Sequence, residues 1–183
     1  MKIRKPYPKK KIRKSKVTTA EMEVALQQYF DVTSHRSCST VPNISWGLGL
    51  HECDLLIMSK SGYLTEVEIK VSISDLKKDL EKGHKHESNK IKFLFFAIPC
   101  DLDREECLKY IPERAGVLIV GHKWHVVLER PPKPNKESRK LSDKEQLQFY
   151  RLGSMRIWTL KRNIINLRRN LKELRREIKH GNK

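Results

Sequence analysis

Asp54 and the tripeptide Glu68-Ile69-Lys70 are the residues of this 183-residue chain whose types and spacing best suit chemistry. Residues 53–58 (CDLLIM) are apolar, Ser61-Gly62 follows as a turn, and residues 63–71 (YLTEVEIKV) are rich in β-branched side chains. The pattern predicts a β-hairpin. Side chains alternate across a strand, so Glu66, Glu68 and Lys70 share one face of the second strand, and Val67, Ile69 and Val71 the other. On the first strand Cys53, Leu55 and Ile57 point one way and Asp54 the opposite way. If both apolar sets face one core, Asp54, Glu68 and Lys70 meet on the far side. Carboxylates and a lysine on such apolar strands are costly unless paired or ligating a cation. Two carboxylates and a strand carbonyl form a hard oxygen site suited to Mg2+, with several waters retained. The bland alternative is an exposed hairpin face on which Glu66, Glu68 and Lys70 pair across strands.

The elements around the hairpin can be read in the same way. Thr18 and Glu21 fit a capping box, and Met22, Ala25, Leu26 and Tyr29 then mark one helical face. Residues 31–43 read as a loop and 44–50 as a short strand. After the hairpin come a helix over 72–82, a buried strand over 91–98 closed by Pro99, and a helix over 103–110. Strands over 116–120 and 124–128 follow. This order predicts one mixed α/β sheet domain over residues 17–130. The prolines and lysines of 131–141 predict a stiff polar linker, and 142–183 a helical extension. In that extension Ile157, Leu160, Ile164, Leu167, Leu171, Leu174 and Ile178 alternate steps of three and four, the seam of a coiled coil. The seam predicts a homo-oligomer; the alternative is a long helix folded back on its own domain.

Charge is distributed unevenly. Residues 1–16 carry nine Lys or Arg and no acid, and residues 131–183 carry sixteen basic and five acidic side chains. Residues 17–130 are slightly acidic, although the whole chain is +17. Basic flanks favour a polyanion, nucleic acid above all, through phosphate neutralisation and counterion release. The arm over 1–16 has two prolines and little apolar content, so it is expected to be disordered. It lacks the apolar stretch of a secretory signal, and no apolar run is long enough to span a membrane. Cys38, Cys53, Cys100 and Cys107 form no CxxC pair, which suits reduced thiols in a cytoplasmic protein. His35, Cys38, His84 and His86 fit no usual zinc spacing. The glycines form neither a P-loop nor, at 46–50 (WGLGL), a dinucleotide fingerprint.

An aspartate on one strand followed by E-x-K on the next resembles the PD-(D/E)XK nuclease superfamily. Residues 52–120 look closer still to the MmcB-type family of DNA-repair nucleases. The matching pieces are CDLLIM, VEIK, SISDLKKD, a strand ending AIP, and AGVLIV. Cys53 stands where the superfamily motif has proline. The resemblance implies a restriction-endonuclease-like mixed sheet flanked by helices, here followed by the long C-terminal helix. It implies that Asp54 and Glu68 bind Mg2+, or Mn2+ in its place, with the Ile69 carbonyl as a further ligand. Lys70 would orient the attacking water, and a first-helix glutamate, Glu23, would complete the site. Asp75, Lys77 and Asp79 would line the substrate groove, although a solvated helix face explains them equally well. The implied activity is Mg2+-dependent hydrolysis of DNA phosphodiesters. The rival is a non-catalytic nucleic-acid-binding or assembly protein with a nuclease-like fold. Phosphate contacts alone do not separate DNA from RNA.

Overall fold

The computed structural model describes residues 17–81 and 88–181. The basic arm over 1–16 lies outside them, as do His84 and His86. The order is α1 (Thr19–Thr33), β1 (Ser39–Ile44), β2 (Cys53–Met58), β3 (Leu64–Ile69), α2 (Ile73–Glu81), β4 (Ile91–Pro99), α3 (Arg104–Leu108), β5 (Gly116–Val120), β6 (Val126–Arg130) and α4 (Asp143–Gly181). Six strands form one sheet in sequence order. The inner pairs β3–β4 and β4–β5 are parallel, and the other three pairs are antiparallel. The molecule is therefore a mixed α/β sheet flanked by helices, with a long C-terminal helix, as the sequence predicts.

The capping box starts α1: the Thr18 hydroxyl accepts from the Glu21 amide, and the Glu21 carboxylate accepts from the Thr18 amide at 2.8 Å. Met22, Ala25 and Leu26 then bury one stripe against Leu55, Ile57, Val67, Ile69, Ala97 and Leu118 on one sheet face. The opposite face is covered in two patches. Phe149 and Leu152 of α4, with Leu141 ahead of it, pack on Val41, Leu56, Met58 and Leu64. Leu76 of α2 and Cys107 of α3 pack on Leu94, Phe96, Ile98, Val117 and Ile119. β3 runs between these two patches.

Two features depart from the sequence reading. β1 occupies residues expected to be loop, and most of the expected strand over 44–50 is loop. Pro42 is tolerated because β1 is an edge strand. Asn43 adopts φ +53° and breaks the alternation, so Val41 and Ile44 enter the same core cluster. Opposite it, Cys53 follows Ile44 into the cluster of Leu56 and Met58 instead of joining Leu55 and Ile57.

The expected linker is docked along the domain. Amides of Lys133, Asn135, Arg139 and Leu141 donate to carbonyls of Arg114, Lys92, Asn89 and Gly62 at 2.7–2.9 Å. The boundary at 141/142 is thus not a break in packing, since the first turns of α4 complete the core. Gly153 marks the close approach: a β-carbon there would lie 3.1 Å from Val41. Met155, Arg156 and Thr159 still line a pocket with Ile44, Ser45 and Trp46, and after them α4 leaves the domain. Every seam residue from Ile157 to Ile178 is 47–64% exposed, so the seam is not folded back on this chain's described residues. Among the described residues no helix is long and apolar enough to cross a membrane.

Candidate active site

The β2–β3 pairing ends at Leu55↔Val67, and Asp54 and Glu68 are the next residues of the two strands beyond it. With Val67 and Ile69 buried under α1, Glu66 and Glu68 face the other way, into the strip between the two apolar patches. Both are buried. Asp54 ends the ribbon by accepting the Ile69 amide through Oδ2 at 2.8 Å, in the place a backbone carbonyl would take. The next amide, that of Lys70, donates to the Ala97 carbonyl on the β4 side at 3.0 Å. In a planar trans peptide the N–H and C=O are opposed, so the Ile69 carbonyl is directed away from β4, towards β2 and Asp54. Asp54, Glu68 and the Ile69 carbonyl therefore belong to the same end of the ribbon.

Lys70 Nζ donates to Glu68 Oε2 and to Asp79 Oδ1, each at 2.7 Å. The sequence thus placed Lys70 correctly beside Glu68. It left Asp79 undecided, and the structure distinguishes it from its neighbours. Asp75 accepts from the Ser72 hydroxyl at the start of α2, and Lys77 reaches Glu106 and the Tyr110 ring. Only Asp79 of the three touches the Asp54–Glu68–Lys70 group.

Glu23 is held elsewhere. Its carboxylate accepts from Asn43 Nδ2 at 3.2 Å. Asn43 lies between Pro42 and Ile44, which pair with Leu55 and Cys53 on either side of Asp54. Among the described residues no hydrogen bond or ion pair joins Glu23 to Asp54, Glu68 or Lys70.

Electrostatics mark the site as short of positive charge. Burial raises the Glu68 pKa to about 7, with Asp54 and Glu66 adding to the effect and Lys70 opposing it. Burial also raises Asp54, against the Ile69 amide and Lys70. Burial pulls Lys70 down, but Glu68 and Asp79 outweigh it and the net shift is upward. Glu68 Oε1 is buried and has no hydrogen-bond partner among the described residues. A dication would supply both the missing charge and the missing partner. An all-oxygen set from two carboxylates and a carbonyl fits Mg2+ or Mn2+.

The sequence reading did not find His51. Its Nε2 lies 2.6 Å from Glu66 Oε1 and 4.0 Å from Cys53 Sγ. Alternation put Glu66 on the face of Glu68, but nothing in the spacing indicated a histidine arriving from the loop before β2. The Cys53 thiol is pushed up by burial and by the surrounding carboxylates.

No protein-family model matches this chain, and no curated protein matches it. Among solved structures it is similar to the SPO1766 protein of unknown function from Silicibacter pomeroyi. The two share 12% identity with a TM-score of 0.57, over 82% of this chain and 92% of that one. At that identity the likeness concerns the fold alone.

Proposed function

We propose that this protein is a metal-dependent deoxyribonuclease acting through Asp54, Glu68 and Lys70. The observation that carries the reading is Asp54 holding the Ile69 amide next to Glu68, whose Oε1 is buried without a hydrogen-bond partner among the described residues beside the Lys70 ammonium. Asp54, Glu68 and the Ile69 carbonyl would hold Mg2+. Bound there, the ion would supply Lewis-acid stabilisation of phosphate charge and a more acidic water. Lys70 orients the nucleophilic water by hydrogen bonding, and Asp79 keeps its ammonium at the site when Glu68 turns to other work. The buried strip limits bulk water around these groups, which strengthens each interaction.

Affinity comes from the flanks. The exposed part of α4 carries Arg156, Lys161, Arg162, Arg168, Arg169, Lys172, Arg175 and Arg176, and it supplies phosphate contacts without base readout. The exposed seam of α4 supports self-association. The four cysteines are free thiols, which supports a reducing, cytoplasmic setting. A second reading, nucleic-acid binding without cutting, is favoured by one observation: Lys70 is engaged by two carboxylates at once.

The test is incubation of the full chain with single-stranded, duplex and branched DNA, and with RNA, in Mg2+, Mn2+ or EDTA. Metal-dependent DNA cutting that disappears in Glu68→Ala and Lys70→Ala is expected. Cutting that persists unchanged in both variants refutes the site, and binding with no cutting in any metal selects the second reading.

A further inference from the structure

We infer a second metal centre, of different chemistry, formed by His51, Cys53 and Glu66 and suited to Zn2+. Their ligand atoms all lie within 4.8 Å of one another. Cys53 and Glu66 are wholly buried, whereas the His51 side chain is 22% exposed and opens the group to solvent. Bonds of about 2.0–2.3 Å in a tetrahedron put ligand atoms about 3.3–3.7 Å apart. The His51–Glu66 separation of 2.6 Å must open, and the Cys53–His51 separation of 4.0 Å must close, each by under about 1 Å. A set of one nitrogen, one sulfur and one oxygen is a zinc set, unlike the all-oxygen group at Asp54 and Glu68. Three protein ligands leave the fourth position to water, on the side where His51 meets solvent.

The placement follows from the two departures already described. The kink at Asn43 turns Cys53 away from the α1 core and towards the face of Glu66. The loop before β2 then brings His51 across to β3. Glu66 and Glu68 are alternate residues on one face, about 6.7 Å apart along the strand. An ion at His51 would fix that loop beside Asp54.

Cobalt substitution tests this centre without reference to activity. Co2+ is titrated into the full chain carrying Cys38→Ser and Cys100→Ser, which removes the more accessible thiols. A single equivalent with a thiolate-to-cobalt charge-transfer band, displaced by Zn2+, is expected. The band should vanish in Cys53→Ser, weaken in His51→Ala, and survive in Glu68→Gln. His51→Ala keeps the test decisive if Cys53→Ser misfolds, because His51 lies on a loop and is partly exposed. Absence of the band, its survival in a folded Cys53→Ser, or an undiminished band in His51→Ala overturns the proposal.

An independent observation carries a second inference, which rests on the self-association reading: the exposed part of α4 pairs with a second copy as a parallel, two-stranded coiled coil. One set of seam positions holds Ile157, Ile164, Leu171 and Ile178, and the other holds Leu160, Leu167 and Leu174. Mostly isoleucine at the first position with leucine at the second favours two parallel strands. In a parallel pair Asn163 and Asn170 face Arg168 and Arg175 of the other copy, and Arg156 facing Lys161 is the one like-charge contact on each side. In an antiparallel pair Lys161, Arg168 and Arg175 would face one another. A parallel arrangement puts both candidate active sites at the same end.

Sedimentation and disulfide trapping separate the outcomes. In the Cys38→Ser, Cys100→Ser background, Ile178→Cys is expected to crosslink to its own counterpart within a dimer. A monomer at high concentration removes self-association and this inference together. A dimer that traps no such crosslink removes only the parallel orientation, and a trimer removes only the strand number.

Discussion

Asp54 and Glu68 stand just beyond the last pair of the β2–β3 ribbon, and Asp54 holds the amide of Ile69, the residue after Glu68. Asp54 is therefore both a candidate ligand and a piece of backbone architecture. The two roles can be separated. Asp54→Ala strands a partly buried N–H and is expected to destabilise the fold by about 1–3 kcal/mol. Asp54→Asn keeps an acceptor oxygen, so it should retain most of that stability while losing Mg2+ affinity. Urea unfolding read beside calorimetric Mg2+ titration checks both halves. Equal stability losses in the two variants would refute the structural role.

Asp79 is expected to act through Lys70. Asp79→Asn should lower the single-turnover cleavage rate by roughly tenfold, the equivalent of about 1.4 kcal/mol. Substrate affinity should change little. Lys70→Ala should cost more, on the order of 10²–10⁴-fold, in line with loss of a positioned proton-transfer or water-orienting group. If Asp79→Asn weakens DNA binding and leaves the bound-state rate intact, Asp79 contacts the substrate instead.

The fold and the site were legible to different depths. Alternation alone put Glu68 and Lys70 on one side, because β3 sends Val67 and Ile69 into the core under α1 and Leu64 into the opposite one. It misplaced Cys53, because the positive φ of Asn43 shifts the phase across a strand pair, and a single sequence gives no sign of that. β1 was hidden for a similar reason. Its residues, STVPNI, carry proline and asparagine that read as loop, and only pairing with β2 makes them a strand. The docking of residues 131–141 uses main-chain hydrogen bonds, which leave no side-chain signature. The contact of His51 with Glu66 joins a loop to a strand fifteen positions away and has no periodicity to announce it.

α4 should behave as two parts. Phe149 is wholly buried with Leu152 beside it, so Phe149→Ala is expected to cost about 3–5 kcal/mol. Leu167→Ala lies on the exposed seam and should leave the stability of dilute protein within about 0.5 kcal/mol of the parent. At high concentration the same substitution should lower the thermal midpoint. Thermal unfolding at two concentrations tests the division, and a large loss for Leu167→Ala in dilute protein would contradict it.

Glu145 gives the fold an acid-sensitive clasp. Arg139 holds its carboxyl well below the usual carboxylate range through paired contacts at 2.6 and 2.7 Å, burial opposes the shift, and the Ser142 amide and Lys90 assist it. A depressed folded pKa stabilises above the unfolded value, here near 4.5, and the benefit fades as pH falls from there towards the folded value. Glu145→Gln should therefore be less stable at neutral pH by roughly 1 kcal/mol, allowing for solvent screening. The gap should narrow below about pH 4.5. Chemical unfolding at neutral and acid pH reads the difference; a gap that widens on acidification would have the wrong sign.

The central claim is that two carboxylates and a lysine form a metal-dependent phosphodiester-cleaving site. Single-turnover cleavage of a labelled DNA duplex across a Mg2+ titration, comparing the parent chain with Glu68→Gln, tests it most directly. The account predicts cleavage that rises and saturates with Mg2+ in the parent, is abolished by EDTA, and is lost in a folded Glu68→Gln that still binds DNA. Parent and variant cleaving alike at every Mg2+ concentration would contradict it.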